Sequence, residues 1–143
     1  MAYDAIHELV MEYGEYLENE NYSEDCTKAV FTEDAEVAFA VGGPGKGIPA
    51  IAAGHTGMLT AFTGATHNIT NVVIRKSSED VAQVSFHLEV IHQFKPEIAA
   101  NTPGDLFIVN DRVKAQAVNT ADGWRFSQLE MNTVYKRMSR SVE

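Results

Sequence analysis

Apolar and acidic positions alternate with helical spacing at the start of the chain. Within residues 4 to 18 the apolar side chains recur at intervals of three and four, so they share one helix face, while Glu8, Glu12 and Glu15 point away. This spacing predicts an amphipathic helix. The members of its apolar face are Ile6, Leu9, Val10, Tyr13, Tyr16 and Leu17.

Two further helices are predicted from shorter patterns. Ser23 is of a type favoured at a helix N-cap, and the stretch CTKAVF after it predicts a short helix that ends near Thr32. A third helix is predicted from Ile48 to about Phe62, with a proline in its first turn, where the missing N–H costs little. The apolar face of this third helix would comprise Ile48, Ile51, Met58 and Phe62.

The remaining segments have the alternation of β-strands. A short strand is predicted at residues 36 to 41, and longer strands at 66 to 76, 81 to 95, 106 to 118 and 124 to 136. Helices followed by an antiparallel meander predict an α+β fold: three N-terminal helices packed on a strongly curved, mainly antiparallel sheet that closes around an interior pocket. A chain of 143 residues suits a single domain, residues 1–143.

Residues 81 to 95 divide by parity, because successive side chains of a strand point to opposite faces. The odd positions are mostly polar and include His87, whereas the even positions are apolar except for His92. We therefore expect His92 to be the one ionisable group on an inward face. The apolar even positions are Ala82, Val84, Phe86, Leu88, Val90 and Phe94.

The segment ATHNITNVV, residues 65 to 73, does not divide in this way. One face would carry His67, Ile69, Asn71 and Val73, and alternation alone leaves open whether that face or the opposite one is buried. If it points inward, two imidazoles share an apolar pocket, where desolvation and neighbouring charges would tune them as acid or base. The alternative is that each inward histidine is a hydrogen-bonded core residue.

Other candidate sites have less support. His87 and His92 face opposite ways and cannot chelate one metal ion, which leaves only His67 and His92 with a carboxylate as a metal alternative; we predict no metal site. In GGPGKG, Lys46 precedes glycine rather than Ser or Thr, which favours an ordinary turn over a phosphate loop. His55 would be either a pocket contact or a hydrogen-bonded core residue.

Composition narrows the classes of partner. The formal net charge of −9 disfavours binding to nucleic acid or to anionic membrane surfaces, which requires clustered Lys and Arg. Cys26 is the single cysteine, which excludes an intrachain disulfide. No apolar run reaches 18 residues, and the N-terminus does not have the pattern of a signal peptide, so we expect a cytoplasmic protein.

Several stretches resemble a known superfamily over nearly the whole chain. The order of elements, together with YLENENY, FTEDAEV, GKGIPAI, THNITN and DGWRF, is similar to the SnoaL-like branch of the nuclear-transport-factor-like superfamily. Within it, EVIHQFK and ATHNI most resemble scytalone dehydratases. Other members are bile-acid dehydratase, hexachlorocyclohexane dehydrochlorinase, polyketide cyclases and ketosteroid isomerase.

The resemblance implies a cone-shaped barrel around the pocket. It also implies a proton transfer without a cofactor, often an elimination, in which a histidine pairs with a carboxylate near the end of the first helix. His67 matches that histidine and Glu18 takes the place of the carboxylate, where the family usually has Asp. His92 matches a second histidine that holds or polarises the substrate. Phe39 and Leu17 stand where scytalone dehydratases have two tyrosines.

We therefore predict a lyase of the dehydratase type, acting on a small hydrophobic aromatic, polyketide or terpenoid substrate, with His67, Glu18 and His92 as its catalytic residues. The alternatives are an isomerase or cyclase of the same fold, and a non-catalytic binding or assembly module. The resemblance also implies a homo-oligomer, a dimer or trimer. The predicted substrate contacts are Tyr13, Tyr16, Phe39, His55, Met58, Phe62, Asn71, Phe86, Leu88 and Val90.

Overall fold

Residues 2–141 form four helices and six strands. The computed structural model describes residues 2–141, so Met1 and residues 142 and 143 of the predicted domain lie outside the described range. In chain order the elements are α1 (Ala2–Asn19), α2 (Glu24–Lys28), β1 (Phe31–Ala38), β2 (Gly45–Lys46), α3 (Ile48–Gly57), β3 (Phe62–Lys76), β4 (Val81–Phe94), α4 (Pro96–Ala99), β5 (Leu106–Thr120) and β6 (Gly123–Ser139).

The six strands form one mixed sheet in the order β2-β1-β6-β5-β4-β3. Every neighbouring pair is antiparallel except β1 and β6, which run parallel. Helices α1, α2 and α3 pack against this sheet, and β2 and β3 remain as its open edges. The predicted α+β class with a mainly antiparallel sheet is therefore confirmed, although the sheet is not closed.

Helix α1 is docked by the apolar face that its spacing predicts. All six predicted positions are its buried residues. Tyr13, at the centre, packs its ring against Phe31, Phe86 and Phe126, with centroid separations of 5.9 to 6.3 Å. Burying each large side chain contributes roughly 1.5–3 kcal/mol to the free energy of folding.

Among residues 2–141, no helix has the length and apolarity that a membrane crossing requires.

Two boundaries between a helix and the strand that follows it lie earlier in the chain than predicted. Helix α2 ends at Lys28, and β1 begins at Phe31, because this segment pairs with β6 and the backbone N–H of Phe126 donates to the carbonyl of Val30. Helix α3 ends at Gly57, and Phe62 already belongs to β3, where it pairs with β4. Cross-strand pairing has overridden the local helical pattern in both places.

Two short elements were not predicted. Strand β2 adds two residues to the edge of β1, and helix α4 occupies part of the loop between β4 and β5. With two and four residues, β2 and α4 are too short to produce a recognisable periodicity in the sequence. The N-cap of α2 is as predicted, since the Ser23 side chain accepts a hydrogen bond from the backbone N–H of Cys26.

A β-bulge in β3 changes which residues face the helices. Asn71 has a φ of 56°, and the pairing with β4 shifts between Thr70 and Val73. Side chains before the bulge follow one parity, with His67 and Ile69 inward, and those after it follow the other. The predicted shared face is therefore wrong beyond Ile69: Asn71 and Val73 are exposed. A bulge adds one residue to one strand and so reverses the alternation.

We predict that Asn71→Val destabilises the protein by about 1–2 kcal/mol, because a β-branched residue is strained at positive φ. Urea denaturation at neutral pH would measure the change in the free energy of unfolding. Asn71→Gly is the control, since glycine adopts this conformation without strain. Equal stability of the Val and Gly variants would contradict the assignment.

Candidate functional site

A cavity of about 530 Å³ lies between the concave face of the sheet and the helices. Most of its lining is apolar, which suits a small hydrophobic molecule. The lining residues are Leu17, Tyr22, Phe39, Ala40, Val41, Gly42, Gly43, Ala53, Gly54, Gly57, Met58, Leu59, Thr60, Ala61, Phe62, Ala65, His67, Leu88, Val90, His92, Val109, Asp111 and Met131.

His67 projects into this cavity from β3, so the orientation that alternation left open is inward. Its side chain is only 8% exposed. Glu18, at the end of α1, accepts a hydrogen bond from the backbone N–H of His67 through Oε1. The same oxygen lies 3.4 Å from Nδ1 of the imidazole. The carboxylate therefore joins the helix to the strand at the residue that carries the ring.

The contact between Glu18 and the ring is an ion-pair contact rather than an aligned hydrogen bond. Nδ1 of His67 is buried and has no hydrogen-bond partner of suitable geometry among the described residues, although Oε1 is near. Burial lowers the pKa of His67, and the neighbouring His92 lowers it further, while the charge of Glu18 opposes both effects. With a lowered pKa, the imidazole is mostly neutral at pH 7 and can accept a proton.

His92 faces the cavity from β4, as its parity predicts. Its ring stacks on Phe62 at a centroid separation of 4.2 Å. Nδ1 lies 3.0 Å from the carbonyl oxygen of Phe107, and because a carbonyl only accepts, Nδ1 must carry the proton. Nε2 is then left as the nitrogen without a proton in the neutral ring. Burial lowers the pKa of His92, against the effects of the Phe107 carbonyl and of Asp111.

Asp111, on β5, is a third ionisable group of the cavity and was not predicted from the sequence. It is 6% exposed, and the Thr133 hydroxyl donates to its Oδ1 over 2.8 Å. Burial raises the pKa of this carboxyl, while the Thr133 bond and His92 lower it. The signal was available: the inward positions of β5 from 107 to 117 are apolar except for Asp111, as those of β4 are except for His92.

Five of the predicted substrate contacts line the cavity: Phe39, Met58, Phe62, Leu88 and Val90. Five do not. Asn71 is exposed beyond the bulge, where its Nδ2 lies 3.4 Å from Nδ1 of His87. Phe86 is fully buried against Tyr13. The other three, Tyr13, Tyr16 and His55, lie together in the core.

These three residues form a buried polar cluster beneath the cavity. Nδ1 of His55 donates to the carbonyl of Ile51 over 2.9 Å, so Nε2 accepts from the Tyr13 hydroxyl at 3.1 Å. The Tyr16 hydroxyl bonds Thr27 at 2.9 Å. Of the two alternatives for His55, the structure therefore shows the hydrogen-bonded core residue. The hydroxyl groups of Tyr13 and Tyr16 are both hydrogen-bonded to protein side chains. Burial lowers the pKa of His55 to about 4 and raises that of Tyr16 to about 12.

The width of the cavity depends on a glycine. A methyl group added at Gly54, on α3, would overlap the ring of Phe39, which packs against the helix at that point. The same ring meets His55 edge-on at a centroid separation of 5.0 Å. Phe39 is thus held against α3 and forms part of the cavity wall without filling its interior.

Metal ligation has no support in residues 2–141, which contain no cluster of three or more His, Cys, Asp and Glu side chains placed to hold an ion. His67, His92 and Asp111 line one cavity without forming such a cluster.

Comparison with known families identifies the fold family of the chain. Residues 1–130 match the family model of the SnoaL-like domain. The chain belongs to the SnoaL-like domain family. The resemblance seen in the sequence is therefore confirmed. No curated protein is significantly similar to this SnoaL-like chain in sequence.

Solved structures share the SnoaL-like architecture. A protein of Kribbella flavida, Kfla4162, is 25% identical, with a TM-score of 0.84 over 95% of this chain and 93% of that one. A protein of Novosphingobium aromaticivorans, provisionally named a scytalone dehydratase, is 26% identical, with a TM-score of 0.80 over 98% and 88%. The type 3 hexachlorocyclohexane dehydrochlorinase of Novosphingobium barchaimii is 15% identical, with a TM-score of 0.78 over 98% and 93%, and this likeness shows the fold alone.

We predict that the free energy of unfolding of this SnoaL-like domain falls as the pH drops from 6.5 towards 4, because His55 must stay neutral in the core. Burial lowers the pKa of His55 from 6.5 to about 4 in the folded protein. The contribution of neutral His55 to the free energy of unfolding is therefore complete above pH 6.5 and is lost as the pH falls from 6.5 to about 4. The full effect is on the order of 3 kcal/mol.

Urea denaturation at pH 7 and pH 5 would measure the change. His55→Leu should be less stable than the wild type at pH 7, because the Tyr13 hydroxyl loses its acceptor, and should show a smaller difference between the two pH values. The exposed histidine of α1 provides the control variant, His7→Leu, which should keep the wild-type pH dependence. An unchanged pH dependence in His55→Leu would contradict the prediction.

Proposed function

We propose that the protein is a cofactor-independent lyase of the dehydratase type, in which His67 removes a proton from a carbon atom of a small hydrophobic substrate. The observation that carries the proposal is the placement of Glu18 against both the backbone N–H and the ring of His67 at the wall of an apolar cavity. SnoaL-like neighbours that include enzymes named for elimination reactions agree with it.

The proton acceptor would be Nε2 of His67. The Glu18 carboxylate is next to Nδ1, so it favours the tautomer with the proton on Nδ1 and leaves Nε2 to face the substrate. Glu18 also stabilises the imidazolium that forms when Nε2 takes the proton. A desolvated imidazole without such a partner would lose basicity.

The elimination balances with two proton transfers. His67 takes the proton from a carbon next to a carbonyl group or aromatic ring, the electrons of that C–H bond form the new double bond, and the C–O bond to the leaving hydroxyl breaks. Protonated His92 would give its Nε2 proton to the departing hydroxide, which leaves as water. The proton on His67 then returns to His92 through solvent when the product departs.

The substrate would be neutral and largely apolar. None of the residues that line the cavity is Lys or Arg, so a carboxylate or phosphate would find no counter-charge there and would lose its hydration. Flat aromatic or polyketide-like molecules with hydroxyl and carbonyl groups fit both the apolar walls and the few polar groups.

We predict that His67→Ala lowers kcat by about 10²–10⁴-fold, the usual contribution of a general base. The assay screens neutral hydroxylated aromatic ketones by mass spectrometry for loss of water, without added cofactor. His87→Ala is the matched control, because His87 lies on the outer face of the adjacent strand and should leave turnover intact.

The screen also separates the rival functions. A product of unchanged mass would contradict the lyase and indicate an isomerase or cyclase with the same base. Binding of these compounds without turnover by wild type, or equal turnover by wild type and His67→Ala, would remove the proposed mechanism.

We predict a bell-shaped dependence of kcat/KM on pH in the wild type: kcat/KM rises as His67 loses its proton, through a pKa below 6.5, and falls as His92 loses the proton that it must donate. In Glu18→Gln the carboxylate charge that raises the pKa of His67 is lost, so the acid limb of the profile should move to lower pH, and the maximum should fall. Glu15→Gln, an exposed acidic position one turn earlier on α1, is the control and should keep the wild-type profile. An acid limb of Glu18→Gln at or above the wild-type pH would exclude Glu18 as the partner of His67.

A further inference from the structure

The polar groups of the cavity lie in successive rows across the sheet. Register places Ala65 beside His92, His67 beside Val90, and Leu88 beside Asp111. His92 and the position of Asp111 are therefore four residues apart along the strand direction, roughly 13 Å. His67 lies in the row between them. The row that contains Asp111 is the deepest of the three, because the next inward residue, Phe86, packs against α1 and no longer lines the cavity.

Asp111 is held in a fixed orientation with one oxygen engaged. The Thr133 hydroxyl donates to Oδ1, and no described residue donates to Oδ2. Oδ2 is not among the buried polar atoms that lack a partner, so it remains accessible, and the residue lines the cavity. The carboxylate thus presents a free acceptor to whatever occupies the deep end.

The surroundings of Asp111 define what that occupant must offer. No residue from 2 to 141 forms a salt bridge with Asp111. The other ionisable groups among the described residues that line the cavity are Tyr22, whose hydroxyl donates to the carbonyl of Leu17, and the two histidines. Met131 and Val109 provide apolar walls nearby. A carboxylate in such surroundings gains most from a hydrogen-bond donor on a molecule that is otherwise apolar, and it repels anions.

From this placement we propose that Asp111 is a substrate-positioning residue: its Oδ2 accepts a hydrogen bond from a hydroxyl group at the inner end of the substrate. The inference rests on the proposed function for the identity of the cavity occupant. It implies an elongated substrate of about two fused rings, with a hydroxyl at Asp111, the reacting C–H at His67 and the leaving group at His92.

A pair of non-reacting probes would test the subsite. Naphthalene-2,6-diol places a hydroxyl at each end of a flat bicyclic ring, and 2,6-dimethoxynaphthalene has the same skeleton without donors. We expect the wild type to bind the diol at least tenfold more tightly than the dimethoxy compound, by titration calorimetry. In Asp111→Asn the amide nitrogen would replace Oδ2 as a donor, and we expect the preference to fall by about tenfold or more.

Controls distinguish positioning from structure. Asp122→Asn, at an exposed turn between β5 and β6, should keep the preference. An unchanged preference in Asp111→Asn, or an equal loss of affinity for both compounds, would overturn the proposal. If Asp111→Asn does not fold, the NMR resonance of the Asp111 carboxyl carbon in the wild type tests the proposal instead. The diol should shift this resonance, and the dimethoxy compound should not; a resonance that the diol leaves unchanged would overturn the proposal.

The two proposals can fail separately. His67→Ala should retain the preference for the diol, because His67 is not the proposed acceptor. If the preference for the diol depends on Asp111 but the protein catalyses no elimination, the lyase proposal is wrong and the Asp111 subsite is supported. If elimination depends on His67 but the preference for the diol does not depend on Asp111, the subsite proposal is wrong and the lyase proposal is supported.

Discussion

The removal of water from titratable side chains is the constraint on which the chemistry of this fold depends. Burial lowers the pKa of His55, His67 and His92 and raises that of Asp111. The three histidines differ in which ring nitrogens have a protein partner. His55 has protein partners on both nitrogens and remains a core residue. His67 meets a carboxylate on one nitrogen, and His92 a carbonyl oxygen, so each keeps one nitrogen for the cavity.

Much of the fold follows from two periodicities. The spacing of apolar residues in α1 predicts the six side chains that are buried, and the parity of β4 predicts the inward face that includes His92. Both patterns are long, and each has a polar face for contrast. The roles assigned to His67 and Glu18 came from the resemblance to SnoaL-like proteins, because no local pattern brings a residue of α1 next to one of β3. The oligomeric state stays a prediction.

The misplaced residues have physical explanations. Asn71 reversed the alternation by adopting a positive φ, which a sequence permits at asparagine but does not require. Tyr13 and Tyr16 are predicted as substrate contacts, whereas their hydroxyl groups bond His55 and Thr27 inside the core. Asp111 was missed although it interrupts an apolar face as His92 does. The same alternation of side chains places Asp111 on the inward face of β5.

The contact between Gly54 and Phe39 affects the size of the cavity and does not involve the ionisable groups that line it. The aromatic ring can lie back on α3 only because the helix has a bare backbone there. The wall can thus be moved inward by altering α3 while the imidazoles and the carboxylates on other elements stay in place. A change as small as one carbon atom at position 54 would therefore alter the bulk of the molecules that the cavity admits, without changing its ionisable groups.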